Sequence, residues 1–367
     1  MKLGQEYHRL LFASDVTAAI DLRNFHDFTT AWFAGRPVYQ EFRHAPYPPA
    51  TFVLLYPFVG WLDFDDARWL WASTSALALG WLACRFVTAA QVSTRPEAML
   101  VALLLPAMNA TGVTVGNGQL GLHVVAALVM AATMPPSGRS RRLGGHDLAV
   151  AGCYAFALVK PSIAAPFVWL LLFSERGFRR MVLAAGCYLA ATWLALQFQT
   201  LPLDGLVPDM VANGRRLATA EGYANIDAWF VAVGMADRAP VVSILVLAAL
   251  GGWILAHRNT DLWVRIGVTA IVARLWMYHW HYDDLLVVLP MIALFRIAKM
   301  HPRHDVAAAA GVLFAINIPA TLLLARWQEA ASFAGWLFVW GHPIVWVCDL
   351  VFLAVVAARM RREAGKA

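Results

Sequence analysis

A chain of 367 residues that is 60% hydrophobic and only 14% charged carries more apolar surface than one water-soluble core can hide. That excludes a soluble enzyme and makes lipid the second solvent, so the expected fold is an all-α, polytopic integral membrane protein. The formal net charge of +6 does not argue for nucleic acid, because Lys and Arg fall in short loops between apolar runs rather than along a stripe.

Residues 1–20 hold neither a signal-peptide core nor a spanning segment. Residues 1–66 read as an N-terminal outer loop ending in an interfacial helix at 49–62, which follows Pro48 and makes only about three to four turns. Residues 67–367 read as a transmembrane domain. A crossing needs about 20 apolar residues, and by that ruler about eleven segments qualify. They are 67–89, 97–113, 118–134, 147–159, 161–173, 180–199, 240–257, 261–277, 284–298, 305–325 and 333–357. Trp69, Trp71, Trp81, Trp253, Trp263, Trp276 and Trp280 lie near the ends of such runs, where indoles favour the headgroup level. Cys84, Cys153, Cys187 and Cys348 sit inside apolar runs and read as small buried hydrophobes, not as a disulfide or metal framework.

Basic loops orient these segments. Arg139, Arg141 and Arg142 mark one cytoplasmic loop, Arg176, Arg179 and Arg180 a second, Lys299 and Arg303 a third, and Arg359, Arg361, Arg362 and Lys366 the C-terminus. Two basic loops flank the short runs 147–159 and 161–173, so that pair is expected to leave and return to one side as a hairpin broken at Pro161. The segment before residue 67, the loop 109–119, the turn at Lys160, the long loop 201–239, the segment 279–283 and the loop 326–332 then face outward, with Arg326 against the rule. An outer N-terminus without an export signal leads to the expectation that a first transmembrane helix precedes this sequence, lost to a late start codon.

Several polar groups stand out on the outer side. Asp21 opens the motif Asp21-Leu-Arg-Asn-Phe-His-Asp27, followed by Gly35-Arg-Pro-Val-Tyr39 and Tyr47-Pro-Pro49. A carboxylate there can take a proton from an attacking hydroxyl as general base, or simply cap a helix in a solvated loop. His279, His281, Asp283 and Asp284 crowd the start of a span, a density that is expensive unless used, paired or hydrated. The spacing of the two imidazoles does not share a helix face, which argues against a one-helix metal site. Lys160 at the hairpin tip either holds a lipid-linked phosphate or snorkels to the headgroups. Gly116-Asn-Gly-Gln-Leu-Gly121 matches a dinucleotide pattern without the βαβ unit that gives it meaning, so it reads as a turn from which Asn117 and Gln119 can donate to a substrate. Asp63-Phe-Asp65 has the form of a nucleotide-sugar metal motif but reads as a plain loop. His342 and Asp349, inside the last run, read as groups satisfied within the bundle.

The order Asp21, Gly35 to Tyr39, Tyr47-Pro-Pro49, Gly118-Gln119, Lys160-Pro161 and His281-Tyr-Asp283 before Leu289-Pro290 resembles glycosyltransferase family 87. These are polyprenol-phosphate-mannose-dependent mannosyltransferases of the GT-C superfamily and their relatives. The resemblance implies a GT-C-like helical bundle in the bacterial inner membrane with a periplasmic active site. It implies a polyprenyl-phosphate sugar as donor, a glycolipid or polysaccharide as acceptor, and no separate cofactor, metal or nucleic acid. Asp21 takes the family's first-loop aspartate, the base for an inverting displacement. His279, His281, Asp283, Lys160, Asn117, Gln119 and Tyr47 are the expected substrate-binding residues. The family normally carries a transmembrane helix just before the aspartate loop, and this sequence does not. A non-enzymatic lipid or polysaccharide transporter is the alternative reading, since the same polar groups would also line a pathway.

Overall fold

The computed structural model describes residues 2–14, 17–135, 144–220, 224–323 and 341–364. Arg139, Arg141, Arg142, the loop 326–332 with Arg326, the first part of the run 333–357, and Lys366 lie outside the described residues. The described chain is helical, with no strand.

Prolines and polar caps set many of the helix starts. After α1 (Lys2–Phe12) and α2 (Ile20–Phe33), the short α3 (Val38–Glu41) follows Pro37, and α4 (Pro49–Leu55) begins at the second residue of a Pro-Pro pair before widening into a π turn at Tyr56–Gly60. Asp63 accepts the Asp66 N–H at 2.9 Å and so caps α5 (Phe64–Ala89), which takes in Asp65 where the sequence suggested a plain loop. Thr94 and Glu97 form a capping box on α6 (Arg95–Ala107). Pro106 ends that helix early, and α7 (Asn109–Asn117) continues at a 47° bend. Then come α8 (Gly121–Thr133), α9 (Gly145–Ala157), α10 (Pro161–Ala164), α11 (Val168–Leu172), α12 (Gly177–Leu196) and α13 (Leu203–Ala220). Asn225 caps α14 (Ile226–Ala232), Pro240 sits in the first turn of α15 (Ala239–Ala256), and Asp261 caps α16 (Leu262–Leu275). A 3₁₀ segment His281–Val287 leads into α17 (Val288–Met300), α18 (His304–Leu323) and α19 (His342–Ala364).

Among the described residues three helices are long and apolar enough to cross a membrane, Phe64–Ala89, Ala236–Ala256 and His342–Glu363, and the bent pair α6–α7 makes a fourth if read as one span. The shorter apolar helices Pro49–Gly60, Gly121–Thr133, Pro161–Leu172 and His304–Pro319 occupy other expected segments.

The chain forms two compact units, 1–78 with 113–221, and 79–112 with 222–367. In the first, α12 packs along both α9 and α4. Asp147 near the start of α9 meets Arg180 near the start of α12 at 3.0 Å, and the Tyr188 hydroxyl donates to the Leu158 carbonyl further along, so these two helices run parallel. The chain between them must therefore double back, as the hairpin reading requires. The Tyr154 hydroxyl reaches the Ala164 carbonyl at 3.2 Å, ten residues on, although ten residues of straight helix would rise roughly 15 Å. Gly177 closes the return, since a Cβ there would strike the carbonyls of Leu171 and Leu172. Segment 49–60 buries Phe52, Leu55 and Val59 against this assembly, and Phe52 stacks on Trp32 with ring centroids 4.5 Å apart. In the second unit, α16, α17, α18 and α19 pack together, with Gly267 of α16 only 3.1 Å, by its would-be Cβ, from the Pro290 backbone of α17.

Trp32 is fully buried and its indole N–H donates to the Ala195 carbonyl at 2.8 Å. Trp32→Ala empties that site and removes one of the donors to the Ala195 carbonyl, so unfolding in mild detergent should show a loss of about 3–5 kcal/mol.

Candidate functional site

In the first unit the polar residues gather where α2 begins. Ala19 precedes α2 with φ 50°, and Asp21 lies in its first turn, at the positive end of the helix dipole. The turn closing α7 rests on this start. The Ala19 N–H donates to the Gly116 carbonyl at 3.1 Å. Gly118 has φ +69°, a conformation that glycine adopts without strain, and any Cβ on it would collide with Leu22 Cβ, one residue from Asp21. Helix α1 completes the junction: Arg9 donates to Asn117 Oδ1 and to the Thr17 carbonyl at 3.3 Å, and pairs with Glu6 at 3.2 Å. Buried Gln119 accepts the Leu120 N–H at 2.8 Å through its side-chain oxygen, while its own N–H donates to the Thr114 carbonyl. The structure thus brings Asn117 and Gln119 to the helix start that carries Asp21.

Tyr47 and Lys160 both lie beside α4. The Tyr47 ring meets Phe25 of α2 edge-on at 5.3 Å, and its carbonyl accepts the Tyr39 hydroxyl at 2.6 Å. Burial pushes the Tyr39 phenol well above its ordinary pKa, keeping it a donor. Lys160 is buried at the start of α10, and the Val159 carbonyl before it accepts the Thr51 hydroxyl of α4 at 3.4 Å.

In the second unit α16 ends at Leu275, the chain extends through Trp280, and the 3₁₀ segment follows. The break folds His279 back onto its own helix. Its Nε2 lies 2.8 Å from the Ala273 carbonyl in the last turn of α16, and its Nδ1 lies 2.9 Å from Asp283 Oδ2. A carbonyl only accepts, so Nε2 carries a proton, and the Nδ1 contact holds a second one on the ring or on the carboxyl. Both groups are buried. His281 is half-buried between the rings of Trp280 and Tyr282, at 5.9 and 6.0 Å. The structure therefore pairs His279 with Asp283 and sets His281 apart, among aromatic faces.

Residues not singled out in the sequence hold this cluster. Buried Arg274 donates to Asp284 at 2.7 Å and to the Ala224 carbonyl at 3.3 Å, and stacks 4.9 Å over Trp346. Asp227 accepts the Tyr278 N–H at 2.7 Å; burial raises its carboxyl above the ordinary range, against the downward pull of that hydrogen bond and of His279. An arginine in the middle of an apolar run demands a counterion, and that signal alone would have marked Arg274. Glu6 and Arg9 carry only the weak cue of an ion pair one helical turn apart. His342 stacks on Trp346 at 5.7 Å, and Asp349 accepts from Asn317 at 2.8 Å, so both are engaged within the bundle. Among the described residues no three His, Cys, Asp or Glu side chains gather as a metal site.

Apolar helices broken at polar junctions define the class: an all-helical membrane protein with polar side chains collected at helix ends. The sequence profile of glycosyltransferase family 87 matches residues 45–294, more than half of the chain, and the chain belongs to that family. The match contains Tyr47, Asn117, Gln119, Lys160, His279, His281 and Asp283, whereas Asp21 precedes it. No curated protein and no solved structure matches the chain.

Gly118→Ala should strain the turn against α2 and lower the thermal midpoint, and Leu22→Ala should not restore it, because the collision is with the β-carbon that alanine keeps. Asp227 gives a pH signature. A carboxyl whose pKa is raised in the fold contributes stability below its unfolded value and loses it as pH rises through the raised one. Asp227→Asn keeps an oxygen for the Tyr278 N–H and lacks that decline. Unfolding midpoints measured from acid to neutral pH should therefore show the variant gaining on the wild type as pH rises.

Proposed function

We propose that this family 87 glycosyltransferase moves a sugar, mannose or one like it, from a polyprenyl-phosphate donor to a glycolipid or polysaccharide acceptor. The reaction is placed on the periplasmic side of a bacterial inner membrane. The acceptor hydroxyl attacks the anomeric carbon, the bond from that carbon to the polyprenyl phosphate breaks, and the hydroxyl proton passes to Asp21. One displacement inverts the anomeric configuration. Lys160 supplies a point charge for the departing phosphate, and Tyr47, Asn117, Gln119, His279, His281 and Asp283 bind substrate. The reaction takes no metal or other cofactor, because the lipid phosphate is already an activated leaving group. In this reading the short apolar helices join the longer ones as a GT-C-like bundle of about eleven membrane segments, with the helix at 49–62 at the interface.

The observation that supports this most is the junction at α2, where the first-turn carboxylate of Asp21 sits one residue from Leu22, against which Gly118 of the Gly118-Gln119 motif is pressed. Two motifs about a hundred residues apart in sequence thereby share one corner of one unit. A base needs a fixed position more than a special environment, and the junction provides it.

Asp21→Asn, assayed in membranes supplied with labelled polyprenyl-phosphate mannose, should lower transfer by about 100-fold or more, the usual contribution of a general base. Full transfer by that variant would remove Asp21 from the mechanism, and a panel of other polyprenyl-phosphate sugars would then identify the donor.

A further inference from the structure

The hairpin that ends at Gly177 delivers three arginines to one carboxylate. Asp147, fully buried in the first turn of α9, lies 3.0 Å from Arg180, 3.8 Å from Arg176 and 3.8 Å from Arg179. One such pairing is enough to neutralise Asp147. Even with the exposed Glu175 of the same turn counted, the positive charges outnumber the negative ones. The Arg180 side chain is almost fully buried, and its Nη2 has no acceptor among the described residues, although its Nε is bound to Asp147. Arg176 and Arg179 remain partly open to the outside. The parallel helices α9 and α12 also start here, so the positive ends of two helix dipoles add to the same field.

The rest of α12 supplies the second half of a site. Phe178, Val182, Leu189 and Trp193 are each more than half exposed, and their spacing places them on one helix face. Phe178 to Leu189 rises roughly 16 Å, about one leaflet of a hydrocarbon layer of roughly 30 Å. A free phosphate needs only the arginines, whereas a phospholipid uses both the basic turn and the apolar face that runs from it.

We infer that Arg176, Arg179 and Arg180, gathered on Asp147 where α9 and α12 begin, hold the phosphate of an anionic phospholipid whose acyl chains lie along the exposed face of α12. The lipid fastens the returning hairpin to α12 from outside the protein.

Native mass spectrometry of the full chain, released from nanodiscs containing equal phosphatidylglycerol and phosphatidylcholine, reads this directly. The wild type should retain phosphatidylglycerol preferentially. Arg176→Gln with Arg179→Gln, which spares the Arg180–Asp147 pair, should lose roughly thirtyfold of that preference, the factor expected when two basic groups cease to act at a lipid surface. Equal retention of the two lipids by the wild type, or an unchanged preference in the variant, overturns the proposal. Stabilisation by inorganic phosphate in detergent as large as that by phosphatidylglycerol overturns it too, because the apolar face would then contribute nothing. Should the double variant not fold, a salt titration of the wild type decides: the preference must fall as ionic strength rises, and a flat response refutes the site.

Discussion

A charge taken out of water must be met by a counterion or by dipoles, and several of the helix junctions described above answer to that constraint. An isolated buried ion costs several kcal/mol even after relaxation, and removing one member of a buried pair costs about 3–5 kcal/mol. Asp147 with Arg180, Arg274 with Asp284, and His279 with Asp283 each meet this demand at a helix end. Arg68 pairs with Asp65 at 3.6 Å and adds dipoles to it, donating to the carbonyls of Leu10 and Ala13 where α1 runs out. Such pairs need not add net stability over an apolar alternative, but they are intolerant of misplacement, so each fixes the register of the two segments it joins.

The same constraint shapes the polar junctions that substrate chemistry would use. Interrupted helices leave N–H and C=O groups without intrahelical partners, and here side chains and neighbouring turns take them up. At α2 the uncapped start is met by the Gly116 carbonyl; at α16 the last turn is met by His279. Irregular backbone in an apolar chain is confined to places where protein or water satisfies it, which is also where a polar substrate can be received. His279 shows how the two demands compete: with both ring nitrogens engaged it orders the segment, while His281 lies against the rings of Trp280 and Tyr282.

The helical class was legible from composition, and the doubling back at Pro161 from the two basic loops around it. The tally of crossings was less so, because an apolar run measures hydrophobicity and not straightness. Pro106 turns the run 97–113 into two helices with a bend, and the runs around Lys160 are divided among three short helices. The Asp21 and Gly118 motifs could be named in the sequence, but not their adjacency, which rests on a left-handed glycine and a β-carbon clash that leave no pattern of spacing. The pairing of His279 with Asp283 was hidden for a related reason: it forms across a break in the helix, where periodicity carries no information. Helix α1 was missed because a short polar-faced helix has no apolar run to announce it.

The returning hairpin has a bearing on how the chain is made. Helix α9, at 13 residues, and the apolar arm Pro161–Leu172 both fall well short of the roughly 20 that let a segment partition from the translocon on its own hydrophobicity. Asp147 deepens the problem, since its partner Arg180 is synthesised 33 residues later. Neither arm can settle until α12 has emerged, so biogenesis of this region is a delayed, collective step in which a nascent chain ending before residue 180 has no stable place for its hairpin.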